Sequence, residues 1–308
     1  GLWGDELVQR LRQSGLHTYM TFFGFFPPFP NGSNNPAQMD AIKRYVKYVV
    51  DRYGAYVDFW EMMNESPNPP ITIDDGWYNQ VGAYLHGIDP YQHPVATSWE
   101  KPNLGVIDVT APHWYQKEDE FASDREVKSQ IDQYKRFGKP VIFGEQGNSD
   151  ANWDARSSLR MRLRSWTAFF DEGVLIFWNA SCCKGATNGY ASNIYLGPEE
   201  RDYLKVLQDF TRGIDPRVAL EDVQVSNPDL ARAYALRSPT TYVAYVHNYK
   251  DHTNSTSGLR VTVNLLAGGT ATWTSPTTGQ VLGTQIVPAG TQTLTVPAFV
   301  TDIALKIR

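Results

Sequence analysis

Two segments of this chain end an apolar run in a carboxylate: Trp60-Glu61-Met62-Met63-Asn64-Glu65-Ser66-Pro67 and Lys139-Pro140-Val141-Ile142-Phe143-Gly144-Glu145-Gln146-Gly147. Apolar runs of this length read as buried parallel strands, and a carboxyl group at such an end is costly to desolvate unless it is protonated or hydrogen-bonded. Glu65 is thereby placed to donate a proton, and the glycines flanking Glu145 let a ligand or loop come close. Cleaving an acetal asks for such a pair. One group protonates the leaving oxygen and the other stabilises or captures the anomeric carbon, with a separation of ~5–5.5 Å for retention and ~6.5–9.5 Å for inversion. Spacing along the chain does not choose between the two outcomes. Glu61, a third carboxylate on the first run, fits a structural ion pair or supporting partner better than the acid. His113 and Tyr115 share one face of a further strand by their spacing of two. Trp99, Trp114 and Trp178, at or near strand ends, offer flat faces on which a sugar ring stacks. Phe22, Phe23, Phe25, Phe26 and Phe29, around a long loop, are candidate subsite walls. Each has a plainer reading: a loop-capping carboxylate for Glu65, a satisfied core histidine for His113, a core filler for Trp178.

These residues need a scaffold, and the first two-thirds of the chain alternates short β-branched or aromatic runs with amphipathic segments, the pattern of a parallel sheet with crossover helices. Strands are expected at His17–Phe23, Val57–Met63, His93–Trp99, Gly105–Tyr115, Lys139–Glu145 and Val174–Asn179. Helices are expected at Asp5–Ser14, Ala41–Tyr53, Gly76–His86, Arg125–Phe137, Ala155–Phe170 and Glu199–Thr211, several closed by a glycine such as Gly15, Gly54 or Gly138. Near Gly213-Ile214-Asp215-Pro216 helical period gives way to alternation. Leu259, Val261, Val263, Leu265 and Ile303, Leu305, Ile307 alternate with polar or small residues, as strands with one buried face do. The expected division is residues 1–214 as an α/β domain and 215–308 as a small all-β sandwich.

Composition narrows the function. The 308 residues carry 28 Lys+Arg against 33 Asp+Glu, a formal charge of −5, with 42% hydrophobic content. This excludes a disordered chain and a basic nucleic-acid arm. No apolar run reaches the length of a membrane span, and the first residues lack the basic-then-apolar order of a signal peptide. The adjacent Cys182 and Cys183 are poorly spaced for an ordinary disulfide and too few for a zinc site.

The order Asn64-Glu65, His113-Trp114-Tyr115, Glu145 and Trp178 resembles the clan of retaining (β/α)8 glycoside hydrolases, nearest to family 5 with its cellulases and mannanases. The resemblance covers about residues 5 to 212. It implies a TIM-type barrel in which Glu65 is the acid/base, Glu145 the nucleophile hydrogen-bonded by Tyr115, Asn64 a ligand of the sugar 2-hydroxyl, and Trp178 the floor of a subsite. The tail, Trp273-Thr274-Ser275-Pro276-Thr277-Thr278-Gly279 with Val300–Leu305, is similar to a β-sandwich often appended to bacterial hydrolases of this clan. Against that frame, His17–Phe23 falls third, so the first two strands have no counterpart here, nor does the family's arginine near the end of the second. A swap, a homo-oligomer or a longer gene product would supply them. The expectation is a secreted or periplasmic hydrolase of β-linked glycan, needing no metal or cofactor and binding neither nucleic acid nor membrane. The alternatives are a carbohydrate-binding barrel without catalysis and an exo-acting β-glycosidase of another family in the clan.

Overall fold

The computed structural model describes residues 1–24, 35–65, 73–98, 101–115, 119–147, 156–177 and 196–308. By internal contacts the chain forms two units, Gly1–His113 with Tyr134–Gly144, and Trp114–Gln133 with Glu145–Arg308.

In the first unit, α1 (Leu2–Gln13) precedes β1 (Tyr19–Phe23), α2 (Pro36–Tyr53), β2 (Phe59–Met63), α3 (Asp75–Ile88), β3 (Val95–Thr97) and β4 (Val109–Thr110). The short β5 (His113–Tyr115) and the strand β6 (Val141–Gly147) begin in this unit and run into the second. The strands β1 to β4 pair in chain order and in parallel, and Thr110 of β4 pairs with Val141 of β6. Among the described residues β1 has β2 as its one partner. The helices start where the chain offers caps: the Asn35 side chain accepts from the Gln38 N–H ahead of Pro36, and Asp74 accepts from the Trp77 N–H. Their stripes, Ile42, Val46 and Val49 on α2 and Trp77, Val81 and Leu85 on α3, bury against Trp60 and Met62 of β2. Helix α1 buries Val8 alone, while Leu2, Trp3 and Leu7 are exposed.

Two expectations change. The single strand Gly105–Tyr115 is two pieces, because Pro112 has no N–H to give the ladder; its carbonyl still accepts from the Gly144 N–H at 3.0 Å. Gly54 is not a left-handed helix end like Gly15 (φ +69°) and Gly138 (φ +68°). It stays right-handed at φ −52° and opens the 3-10 turn Gly54–Tyr56.

In the second unit, α4 (Ser123–Lys135, whose last residues lie in the first unit), α5 (Ser157–Phe170), β7 (Gly173–Phe177) and α6 (Pro198–Thr211) precede an antiparallel part. Strand β7 pairs with β6. The antiparallel part contains β8 (Ala219–Glu221), β9 (Gln224–Val225), β10 (Ala231–Arg237), β11 (Tyr242–Asn248), β12 (Arg260–Leu265), β13 (Gly269–Thr274), β14 (Val281–Val287), β15 (Gly290–Thr295) and β16 (Asp302–Ile307). They form a six-stranded sheet ordered β14-β13-β16-β11-β10-β8 and a three-stranded sheet β15-β12-β9. The alternating residues Leu259, Val261, Val263, Leu265, Ile303, Leu305 and Ile307 join Trp273 in one core. The other face of the larger sheet packs Val243, Tyr245 and Ala304 against Leu163, Trp166 and Phe170 of α5 and Phe210 of α6. With both faces covered, all seven residues of β11 are buried, which is why its sequence shows little alternation. A parallel sheet with helices and separate antiparallel sheets fits a TIM-like domain plus a β domain.

A buried histidine pair sits in this unit. His247 of β11 is fully buried, its Nε2 lies 2.9 Å from Nε2 of His252, and its Nδ1 lies 3.0 Å from Oδ2 of Asp124. Burial, and then the neighbouring His247, push His252 down from 6.5 to about 4. The unfolded chain therefore binds more protons than the folded one between those values. The stability tied to His252 is complete above pH 6.5 and falls as the pH drops toward 4, by up to about 3 kcal/mol. Urea unfolding across that range should show a shallower pH slope for His252→Gln than for the parent; equal slopes would contradict the assignment.

Candidate active site

In the first unit, candidate residues gather where β2 ends. The Asn64 N–H donates to the Phe23 carbonyl at 2.8 Å, continuing the β1–β2 ladder by one residue. The chain then turns sharply at Glu65, which takes φ +49°, the left-handed region that non-glycine residues seldom enter. Ser98, just past β3, receives the Glu65 N–H on its Oγ at 2.9 Å. This turn aims the Glu65 side chain at His113, whose Nδ1 lies 2.8 Å from Glu65 Oε1. The His113 side chain is 2% exposed and that of Glu65 24%, so the carboxyl group reaches solvent while the ring that holds it does not. Burial lowers the His113 pKa, and the Glu65 carboxylate only partly offsets it. The ring is accordingly neutral at neutral pH, able to donate through one nitrogen and accept through the other.

Gly144 makes room for that ring. A methyl group added to Gly144 would lie 3.3 Å from His113 Nε2 and 3.1 Å from the Ala111 carbonyl oxygen. Glu61, on β2, is 2% exposed. Its Oε2 accepts from Thr21 Oγ1 at 2.6 Å and its Oε1 from Ser98 Oγ at 3.3 Å.

The second unit holds another pair of candidate residues. Tyr115 Oη donates to Glu145 Oε2. Both side chains are half-buried. Next to Glu145, Gln146 is fully buried; with its amide oxygen turned inward it accepts from the Gly147 N–H at 3.2 Å and from Arg164 Nη1 at 2.7 Å. Arg164, 1% exposed on α5, lays its guanidinium 5.2 Å from the centre of the Trp114 ring.

The structure thus pairs His113 with Glu65 and Tyr115 with Glu145. Asn64 is half-buried beside Glu65. Trp114, between the two holders in sequence, points to the opposite face of β5 and is 7% exposed, its ring beside the Arg164 guanidinium rather than open to a sugar. Phe22 and Phe23 belong to the core of the first unit, Phe22 packing 4.9 Å from Trp60. Trp99, Trp178, Phe25, Phe26, Phe29 and both cysteines lie outside the described residues. Sequence reasoning passed over Ser98, Thr21 and the Gln146–Arg164 pair. Only the last left a trace, since Arg160, Arg162 and Arg164 interrupt the apolar stripe of a helix and charged residues there need buried partners.

No known family model matches the sequence, and no curated protein matches it. Solved structures do match in fold. A glycoside hydrolase superposes with a TM-score of 0.68 at 14% identity, over 100% of this chain and 77% of that one. A family 39 glycoside hydrolase from Bacteroides cellulosilyticus gives 0.62 at 14%, over 98% and 70%. A GH30 endoxylanase from Clostridium papyrosolvens gives 0.60 at 15%, over 100% and 84%. The likeness is spread over several families and does not single out family 5. The chain has the (β/α)8-type fold of the glycoside hydrolases whose structures it matches.

Proposed function

We propose that the chain is a glycoside hydrolase acting on β-linked glycan with retention, Glu145 serving as nucleophile and Glu65 as acid/base. One observation carries the reading. The three-residue strand β5 presents His113 and Tyr115 on one face, and each holds one carboxyl group, Glu65 and Glu145 respectively. Residues two apart on a strand are only about 6–7 Å apart. A holder for each of the two acids on one short strand supports the reading that both serve a single anomeric carbon, as a double displacement would use them.

In the first step a Glu145 oxygen attacks the anomeric carbon while Glu65 gives its proton to the departing oxygen, leaving a glycosyl ester on Glu145. In the second, Glu65 takes a proton from water, the hydroxyl oxygen attacks the same carbon, and the Glu145 carboxylate departs. Neutral His113 steadies Glu65 through both steps, and the Tyr115 hydroxyl orients Glu145. The endoxylanase among the similar structures makes xylan a sensible first polymer, with mannan and cellulose beside it.

The test is a polysaccharide screen, followed by NMR of the first anomer released and by labelling with 2-deoxy-2-fluoro-β-glycosides. Retained configuration and a glycosyl adduct on Glu145 are expected. An inverted product with no adduct overturns the mechanism, and binding without turnover favours a carbohydrate-binding barrel. Dialysis against EDTA is expected to leave turnover unchanged, since acid, nucleophile and their holders supply every step; loss of activity restored by a divalent ion would contradict this. Gly144→Ala is expected to lower kcat roughly 10- to 100-fold with the circular dichroism preserved, because the added methyl displaces His113. Unchanged kcat would show that the position of the ring does not matter.

A further inference from the structure

We infer that Ser98, aimed by the buried Glu61, is a positioning residue for Glu65, an inference that rests on the reading of Glu65 as the acid/base. Three observations in the first unit carry it. Glu65 sits at φ +49°, a backbone state that surrounding contacts must hold, and its N–H is received by Ser98 Oγ at 2.9 Å. Ser98 is 2% exposed and is itself tied down, its own N–H donating to the Met63 carbonyl at 3.3 Å. Its hydroxyl proton faces three acceptors: Glu61 Oε1 at 3.3 Å, the Met63 carbonyl at 3.4 Å and His113 Nε2 at 3.5 Å. A carboxyl group is the strongest acceptor of the three when ionised.

Thr21 on β1, Glu61 on β2 and Ser98 after β3 therefore form a line of buried polar groups across the sheet. The line ends at both things that place the Glu65 carboxyl, its backbone turn and the far nitrogen of the ring that binds it. Among the described residues, the titratable groups facing His113 include Glu65 directly, Glu61 through Ser98, and Glu145, which follows the uncharged Gly144 on β6. Removing the hydroxyl leaves the Glu65 N–H without this acceptor and loosens the turn, while the ring and both carboxyl groups of the proposed chemistry stay in the chain.

The experiment compares phenyl and 2,4-dinitrophenyl β-glycosides of the same sugar. Dinitrophenolate departs without protonation, so the ratio of the two rates reads how well the acid is placed. Ser98→Ala is expected to lower kcat/KM roughly 10- to 100-fold for the phenyl substrate and by less than about 3-fold for the other. Ser98→Thr, which keeps the acceptor, should recover most of the loss. Glu61→Gln should fall between them in the same direction and move the basic limb of the pH profile. An equal fall for both substrates, or none, overturns the inference. Glu65→Gln is the control: if it shows no leaving-group dependence the acid/base reading fails, whereas dependence in Glu65→Gln without it in Ser98→Ala sinks only the role of Ser98. If Ser98→Ala does not fold, Ser98→Cys keeps the volume with a weak acceptor. If neither aryl substrate turns over, the 15N resonances of His113 in the parent and in Ser98→Ala decide it, a shifted Nε2 signal being expected and an unmoved one contrary.

Discussion

Glu145→Gln should lower turnover by roughly 10⁴-fold or more while the chain keeps its fold and its Tm. The amide is isosteric and still accepts from Tyr115, so the packing around β6 has little reason to change. What it loses is the negative charge and the nucleophilic oxygen on which both half-reactions depend. Glu65→Gln should lower turnover less, by about 10²- to 10⁴-fold, because the acid speeds departure of the leaving group without forming the covalent bond. The comparison uses kcat for both variants on the best polymer of the screen, with circular dichroism as the folding control. Near-parental kcat in either variant would remove that residue from the chemistry. Glu145→Gln should also fail to form the fluoroglycosyl adduct, a result that does not depend on knowing the natural substrate.

The second large effect is on stability. Asp302 of β16 is 4% exposed; its carboxylate receives Arg162 Nε at 3.1 Å and Nη2 at 3.0 Å in a forked pair, and Tyr245 Oη at 2.9 Å. Arg162, 3% exposed on α5, also lies 4.7 Å over the Tyr203 ring. Asp302→Ala leaves that guanidinium buried without its counter-charge, and removing one partner of such a pair costs about 3–5 kcal/mol. Urea unfolding at pH 7 should register a loss of that size. Replacing both partners, Arg162→Met with Asp302→Leu, should recover much of it, since two apolar side chains leave no charge to compensate. A loss below about 1 kcal/mol for Asp302→Ala would mean that water reaches the pair, and the account of it as a buried anchor between α5 and the sheet would fall.

Much of this was legible in the chain. Helix stripes and strand alternation depend on residues within a few positions of each other, so Ile42, Val46 and Val49, or Val261 and Val263, announce their elements without reference to anything distant. The same locality puts His113 and Tyr115 on one face and Trp114 on the other. Trp114 is a stacking candidate by its residue type, but the same alternation points its ring away from the face its neighbours share. Near-continuous apolar runs mislead in a different way. In β11 every residue is buried because helices cover one side and the second sheet the other, and no local period could say which partner lies where.

By itself the sequence determined the alternation of strands and helices, the antiparallel tail, and the two strand ends that finish in a carboxyl group, since all of these are written in short-range pattern. Only the tertiary structure decided what those groups touch: Ser98 under the turn at Glu65, Thr21 beside Glu61, Arg164 on Gln146, Asp302 on Arg162. Each of these pairs joins elements whose register is set by cores assembled from many residues. The chemistry of a side chain is a property of its type, but its partner is a property of the packing that brings two distant strands, or a strand and a helix, into contact.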